Sequence, residues 1–99
     1  MKKIILLCAA GMSTSMLVQK MRAYAQSIDY ECTIDAYPIT DAGRVGADAD
    51  IILLGPQVRF RANEVKQQVS CPVEPIDMQA YGMMDGAKVI KQVKGVIGE

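Results

Sequence analysis

The chain contains no histidine. Its cysteines therefore have no partner to complete a zinc site. Those cysteines, Cys8, Cys32 and Cys71, are odd in number and far apart, with no C-x-x-C pair. They read as the reduced thiols of a cytosolic protein. An excess of charge of one sign is missing as well: 11 basic residues balance 11 acidic ones, and the basic residues are scattered. Without a positive stripe, nucleic acid is excluded as a partner. Long apolar runs are also absent. Nothing approaches the roughly 20 apolar residues that span a bilayer. The opening Met1-Lys2-Lys3 and the run to Cys8 mimic a secretory or lipoprotein signal, but Ile4 to Leu7 is too short for a signal core of about seven to fifteen residues. A soluble, cytoplasmic protein is the expectation.

What is present is one core's worth of apolar sequence. With 99 residues, 51% of them hydrophobic, a single domain over 1–99 is expected. No internal repeat, linker or low-complexity tract breaks it.

Ile4 to Leu7 reads as a strand buried on both faces of a parallel sheet. From about Ser13 the period changes, and Leu17, Met21, Tyr24 and Ile28 share one face of a helix. Cys32, Ile34 and Ala36 alternate with Thr33, Asp35 and Tyr37, the signature of an edge strand. Residues 39–48 suit either a short helix or a loop, since Gly43 and Gly46 weaken a helix. A third strand spans 50–54, followed by Val58, Ala62, Val65 and Val69 at helical spacing. Pro72 to Ile76 allows a short strand, and Asp85 is placed to cap a last helix whose Val89, Val93 and Val96 share a face. Strand alternating with helix four times predicts an α/β fold: one open parallel sheet with helices on both faces.

The chemistry concentrates between the first strand and its helix, in Cys8-Ala9-Ala10-Gly11-Met12-Ser13-Thr14-Ser15. A nucleophile ends a strand at the sheet edge where open α/β folds bind ligands. Ala9, Ala10 and Gly11 let the backbone approach a phosphate, and Ser13, Thr14 and Ser15 bring hydroxyls to a helix start. The same helix terminus favours the thiolate of Cys8. A cysteine ending an apolar strand is ordinarily core filler. Only the turn that follows Cys8 reverses that reading; Cys32 and Cys71 lack one and stay structural.

Other phosphate loops fit less well. There is no Gly-Lys-[Ser/Thr] triplet, which excludes a nucleotide-binding P-loop. A Cys-x5-Arg phosphatase loop needs arginine where the chain has Thr14, so hydrolysis lacks its main electrostatic aid. A phosphoaspartate receiver needs an acidic, magnesium-binding cluster near the first strand, which ends instead in Leu7-Cys8.

The segment Cys8 to Ser15 resembles the phosphocysteine loop of the lactose and cellobiose (chitobiose) type of phosphotransferase-system enzyme IIB. The resemblance continues through Leu17-Val18-x-Lys20-Met21-Arg22, Leu53-Leu54-Gly55-Pro56-Gln57, Ile76-Asp77, Tyr81-Gly82 and Asp85-Gly86, so it covers essentially the whole chain. It implies a four-stranded parallel sheet in the order 2-1-3-4, similar to low-molecular-weight tyrosine phosphatases and flavodoxin-like folds. It also implies a two-step relay. A phosphohistidine of a IIA protein phosphorylates Cys8, which then phosphorylates a disaccharide of the cellobiose, chitobiose or lactose class held by the membrane component IIC. By the resemblance Cys8 is the phosphocysteine, and Ala9, Ala10, Gly11, Met12, Ser13, Thr14 and Ser15 are the candidates to hold the phosphoryl oxygens. No metal or other cofactor is implied. The protein would work in the cytoplasm, at the inner membrane face when docked on IIC, and its free docking face suggests a monomer.

Two other readings stand beside this one: a cysteine-loop phosphatase or arsenate reductase, and a non-catalytic module that only binds an anion or a partner. Outside the loop, Gly55-Pro56-Gln57 is expected on the same sheet edge as Cys8, either as part of the rim or as a turn capping the next helix. Met12 is expected to be exposed beside the loop and Met16 to pack in the core. Arg59 and Arg61 suit a partner surface or a solvated helix face equally.

Overall fold

A computed structural model of the chain describes residues 1–9 and 12–99, with Met12 and Ser13 described in their backbone alone. Four strands, β1 (Lys2–Cys8), β2 (Cys32–Pro38), β3 (Ile51–Leu54) and β4 (Val73–Pro75), form one parallel sheet in the order β2-β1-β3-β4. The register pairs Ile4 with Ile34 on one side and Ile51 on the other. Because β1 lies between two neighbours and under helices on both faces, Ile4, Ile5, Leu6 and Leu7 are all fully buried. Each such side chain contributes about 1.5–3 kcal/mol of transfer free energy, which explains why this run has no polar alternation.

Side-chain alternation divides the core into two layers. Ile4, Leu6, Ile34, Ile51 and Leu53 face α1 (Met12–Ser27) and the chain's last helix, which contribute Leu17, Val18, Met21, Ala25, Val89, Ile90 and Val93. Ile5, Leu7, Ile52, Leu54 and Val73 face the opposite layer, with Ile39, Ala42, Val45, Val58 and Val65. That layer is built of short pieces. Residues 39–48 form a 3-10 turn, α2 (Ala42–Val45) and a second 3-10 turn; after β3, a 3-10 segment at Pro56–Arg61 leads into α3 (Ala62–Lys66). Past β4 come α4 (Met78–Gly82) and α5 (Gly86–Ile97), the latter capped by Asp85, whose carboxylate accepts from the Lys88 amide at 3.1 Å. Among the described residues no helix is long and apolar enough to cross a membrane.

The periodicities err at helix ends. Ile28 lies beyond the end of α1 and is 39% exposed, and Val96 is 36% exposed on the outer side of α5. Met16, expected in the core, is 57% exposed: the inward face of α1 is set by Leu17, Val18, Met21 and Ala25, and Met16 turns away from it. Val69 lies past α3, because much of the expected helix is a tighter 3-10 run opened by Pro56. Helix α4 is absent from the sequence reading, being only five residues long and held by its Asp77 cap.

Candidate active site

Cys8 is the last residue of β1, opposite Pro38 of β2, and α1 begins four residues later at Met12. The connection therefore passes directly from a central strand to the N-terminus of a 16-residue helix. In the order β2-β1-β3-β4 the chain leaves β1 toward one neighbour and later returns to its other side. Cys8 thus lies at the topological switch point, the position at which open α/β sheets bind their ligands.

The surroundings of Cys8 are tight. Its side chain is 2% exposed, and its Sγ donates to the carbonyl oxygen of Tyr37 at 3.8 Å. Only the protonated thiol makes that weak contact, so ionisation or substitution at sulfur releases it. On the β3 side the Gly55 amide donates to the Leu7 carbonyl at 2.8 Å, extending the parallel ladder one residue beyond Leu54. A Cβ on Gly55 would stand 3.7 Å from the Cβ of Cys8 and 3.5 Å from the Leu7 carbonyl oxygen. Gly55 then caps the Pro56–Arg61 turn, and its carbonyl accepts from the Val58 amide at 3.0 Å. The Gly55-Pro56-Gln57 segment is thus both the turn before a helical segment and a wall beside Cys8.

Of the loop residues, Ala9 is exposed directly after Cys8, Thr14 is 1% exposed in the first turn of α1, and Ser15 is exposed beside it. Ala10 and Gly11 lie outside the described residues, as do the side chains of Met12 and Ser13, including the expected exposure of Met12. Cys32 and Cys71 lie apart from Cys8, half-buried against opposite core layers, and all three cysteines are free. Burial pushes both the Cys32 and Cys71 thiols up from their ordinary range. Arg61 forms a bidentate pair with Glu64, with both contacts at 2.9 Å, whereas Arg59 turns toward Met78 beside β4.

Two groups near the site have no individual signal in composition or periodicity. The Gln57 Nε2 donates to the Tyr81 hydroxyl at 3.5 Å, joining the connection after β3 to α4. Helix α4 is itself fixed at its start, where the Asp77 carboxylate accepts from the Ala80 amide at 2.9 Å. Gln92 of α5 accepts from the Asp77 amide at 3.0 Å and donates to the Pro75 carbonyl at 2.8 Å.

Comparison with known proteins converges on one family. The family described as PTS system, Lactose/Cellobiose specific IIB subunit matches residues 3–92. An oligo-beta-mannoside-specific EIIB component from Bacillus subtilis is 48% identical over 95 residues, covering 93% of this chain and 92% of that protein. A cellobiose-specific EIIB component from Lactococcus lactis is 41% identical, covering 97% and 96%. The solution structure of a cellobiose-specific phosphotransferase IIB component from Borrelia burgdorferi superposes with a TM-score of 0.81 at 39% identity, covering 98% of this chain and 92% of that one.

Proposed function

Because the chain belongs to the lactose/cellobiose-specific IIB family of the sugar phosphotransferase system, and so is a phosphotransferase component, we propose that Cys8 is its phosphoryl carrier. In this reading a IIA phosphohistidine donates its phosphoryl group to the Cys8 sulfur, the P–N bond breaking as the P–S bond forms. The sulfur then gives the group to a hydroxyl of a sugar held by IIC, and the hydroxyl's proton leaves to solvent. Residues 1–99 act as one domain, in the cytoplasm and at the membrane face when docked.

One observation carries this reading: the only cysteine followed at once by a helix N-terminus, Cys8, ends the central strand at the switch point of the sheet. Phosphoryl transfer asks a protein chiefly for in-line positioning and charge stabilisation. A strand-end thiol four residues before a long helix suits both in this reading, with the N–H groups of the helix's first turn as donors to the incoming anion. The Ala9 to Ser15 loop is the phosphoryl cradle in this scheme, and the hydroxyls of Ser13, Thr14 and Ser15 are donors within it. Exposed Met16 on α1, Phe60 after β3 and Met78 after β4 leave apolar surface on elements that follow the sheet's carboxyl edge. Flexible methionines there suit a surface that must meet two partners in turn. The relatives are named for an oligo-beta-mannoside, for cellobiose and for galactose, and the substrate in this reading is a sugar within that range.

The test is incubation with phosphoenolpyruvate, enzyme I, the histidine phosphocarrier protein and IIA proteins of this family, followed by intact-mass measurement. The expected result is a gain of one phosphate located on Cys8, lost in Cys8→Ser because a hydroxyl ionises far less readily than a thiol. Phosphate uptake by Cys8→Ser equal to that of the parent overturns the assignment. So does turnover of p-nitrophenyl phosphate without any phosphate held by the chain, which is the behaviour of a phosphatase.

A further inference from the structure

Three strand ends converge beside Cys8, and the third contributes a side chain whose chemistry the relay has not used. The position a Gly55 Cβ would occupy lies 3.7 Å from the Cys8 Cβ and 3.1 Å from the Oε1 of Gln57. The Gln57 carboxamide oxygen therefore lies against Gly55, whose amide is bonded to the end of β1 that carries Cys8. That oxygen and the Cys8 Cβ are no farther apart than those two distances laid end to end. The C–S, S–P and P–O bonds of a phosphocysteine, followed by one hydrogen bond of about 2.9 Å, cover that span.

We infer that Gln57 donates a hydrogen bond from its Nε2 to the phosphoryl group carried on Cys8, and that Tyr81 is the positioning residue that keeps the carboxamide turned for this. The inference rests on Cys8 being the phosphoryl carrier.

Gln57 is exposed, and its bond to the Tyr81 hydroxyl, at 3.5 Å, is at the long limit for such contacts. A dianionic phosphoryl group offers acceptors only, and a hydrogen bond to a charged oxygen is stronger than one to a neutral hydroxyl. A half-turn of the carboxamide therefore brings the amide nitrogen to where the oxygen stood once phosphate is present, and the Tyr81 hydroxyl, a donor as well as an acceptor, then donates to the oxygen. Tyr81 thus holds the turned carboxamide. It lies on α4, half-buried against the core, and α4 is anchored through Asp77 and Gln92 to the end of β4. A neutral donor also suits a carrier: it holds the anion without the full positive charge with which an arginine would assist hydrolysis.

The experiment compares the parent protein with Gln57→Leu, Gln57→Glu and Tyr81→Phe, each phosphorylated by the phosphorylated IIA protein. The rate of phosphorylation of Cys8, the 31P resonance of the phosphocysteine and the unfolding midpoint are followed. With a midpoint equal to the parent's, Gln57→Leu is expected to phosphorylate about tenfold more slowly and to shift the 31P resonance. Gln57→Glu is expected to be slower still, through like-charge repulsion, and Tyr81→Phe to move both readouts in the same direction by less. Rates within about twofold of the parent and an unmoved 31P resonance in Gln57→Leu overturn the role of Gln57, while phosphorylation of the parent at Cys8 leaves the carrier assignment standing. A parent chain that takes no phosphate on Cys8 overturns both.

Discussion

Gly55 and Cys8 face each other across the β1–β3 junction so closely that a Cβ on Gly55 would meet the Cys8 Cβ at ordinary van der Waals distance, 3.7 Å, but would press on the Gln57 Oε1 at 3.1 Å. The backbone of Gly55 is extended, with φ −62 and ψ 157, so alanine fits without backbone strain. The group it displaces is the tip of an exposed side chain. Gly55→Ala is accordingly expected to change stability by less than about 1 kcal/mol, while slowing phosphorylation of Cys8 because Gln57 is pushed aside. Urea titration and the transfer rate measure the two effects separately; a large loss of stability would show that the wall beside Cys8 is rigid.

Gly86 differs because its obstacle is backbone. It is buried as the first residue of α5, where a Cβ would stand 2.5 Å from the Met21 amide nitrogen and would also collide with the Lys20 carbonyl group. Here α5 packs directly on the backbone of α1, and neither helix can move without disturbing the Leu17, Met21, Val89 and Val93 layer. Gly86→Ala should cost about 2 kcal/mol or more by overpacking, read as a lower urea midpoint. An unchanged midpoint would mean that the two helices slide freely.

The central strand and the strand-end place of Cys8 were legible because they rest on a local rule. Four consecutive aliphatics, Ile4 to Leu7, fit only a strand covered on both faces, and Cys8 closes that run. Asp85 was legible as a cap for the same reason. Met16 was not, because a one-residue rotation around α1 separates core from solvent and composition does not reveal it. The Gln57–Tyr81 pair was out of reach too. It joins residues 24 apart, and α4, which carries Tyr81, owes its place to long-range bonds from Gln92.

Asp77 makes the stability of this corner depend on pH. The Ala80 amide bonded to its carboxylate, and then Lys88, hold its carboxyl below the ordinary range. A carboxyl depressed in the folded state contributes stability that is present above its unfolded value, about 3.9, and is lost as pH falls through the folded value. Asp77→Ala should therefore be less stable than the parent at pH 7, and the difference should narrow as pH drops below about 4. Urea midpoints at pH 7 and pH 3 check this; a gap that widens in acid would contradict the cap.

The two remaining cysteines should be dispensable for transfer. Cys32 lies half-buried against the α1 layer and Cys71 against the opposite one, and burial raises both thiols. At neutral pH little of either is thiolate, and the thiolate is the form that reacts. Alkylation by iodoacetamide at these two positions is expected to be slow at pH 7 and to accelerate as pH rises past about 9. The double variant Cys32→Ser, Cys71→Ser should therefore still gain one phosphate from phosphorylated IIA at the parent's rate. Intact mass after transfer distinguishes the outcomes, since loss of uptake in a folded double variant would mean that a second sulfur takes part in the relay.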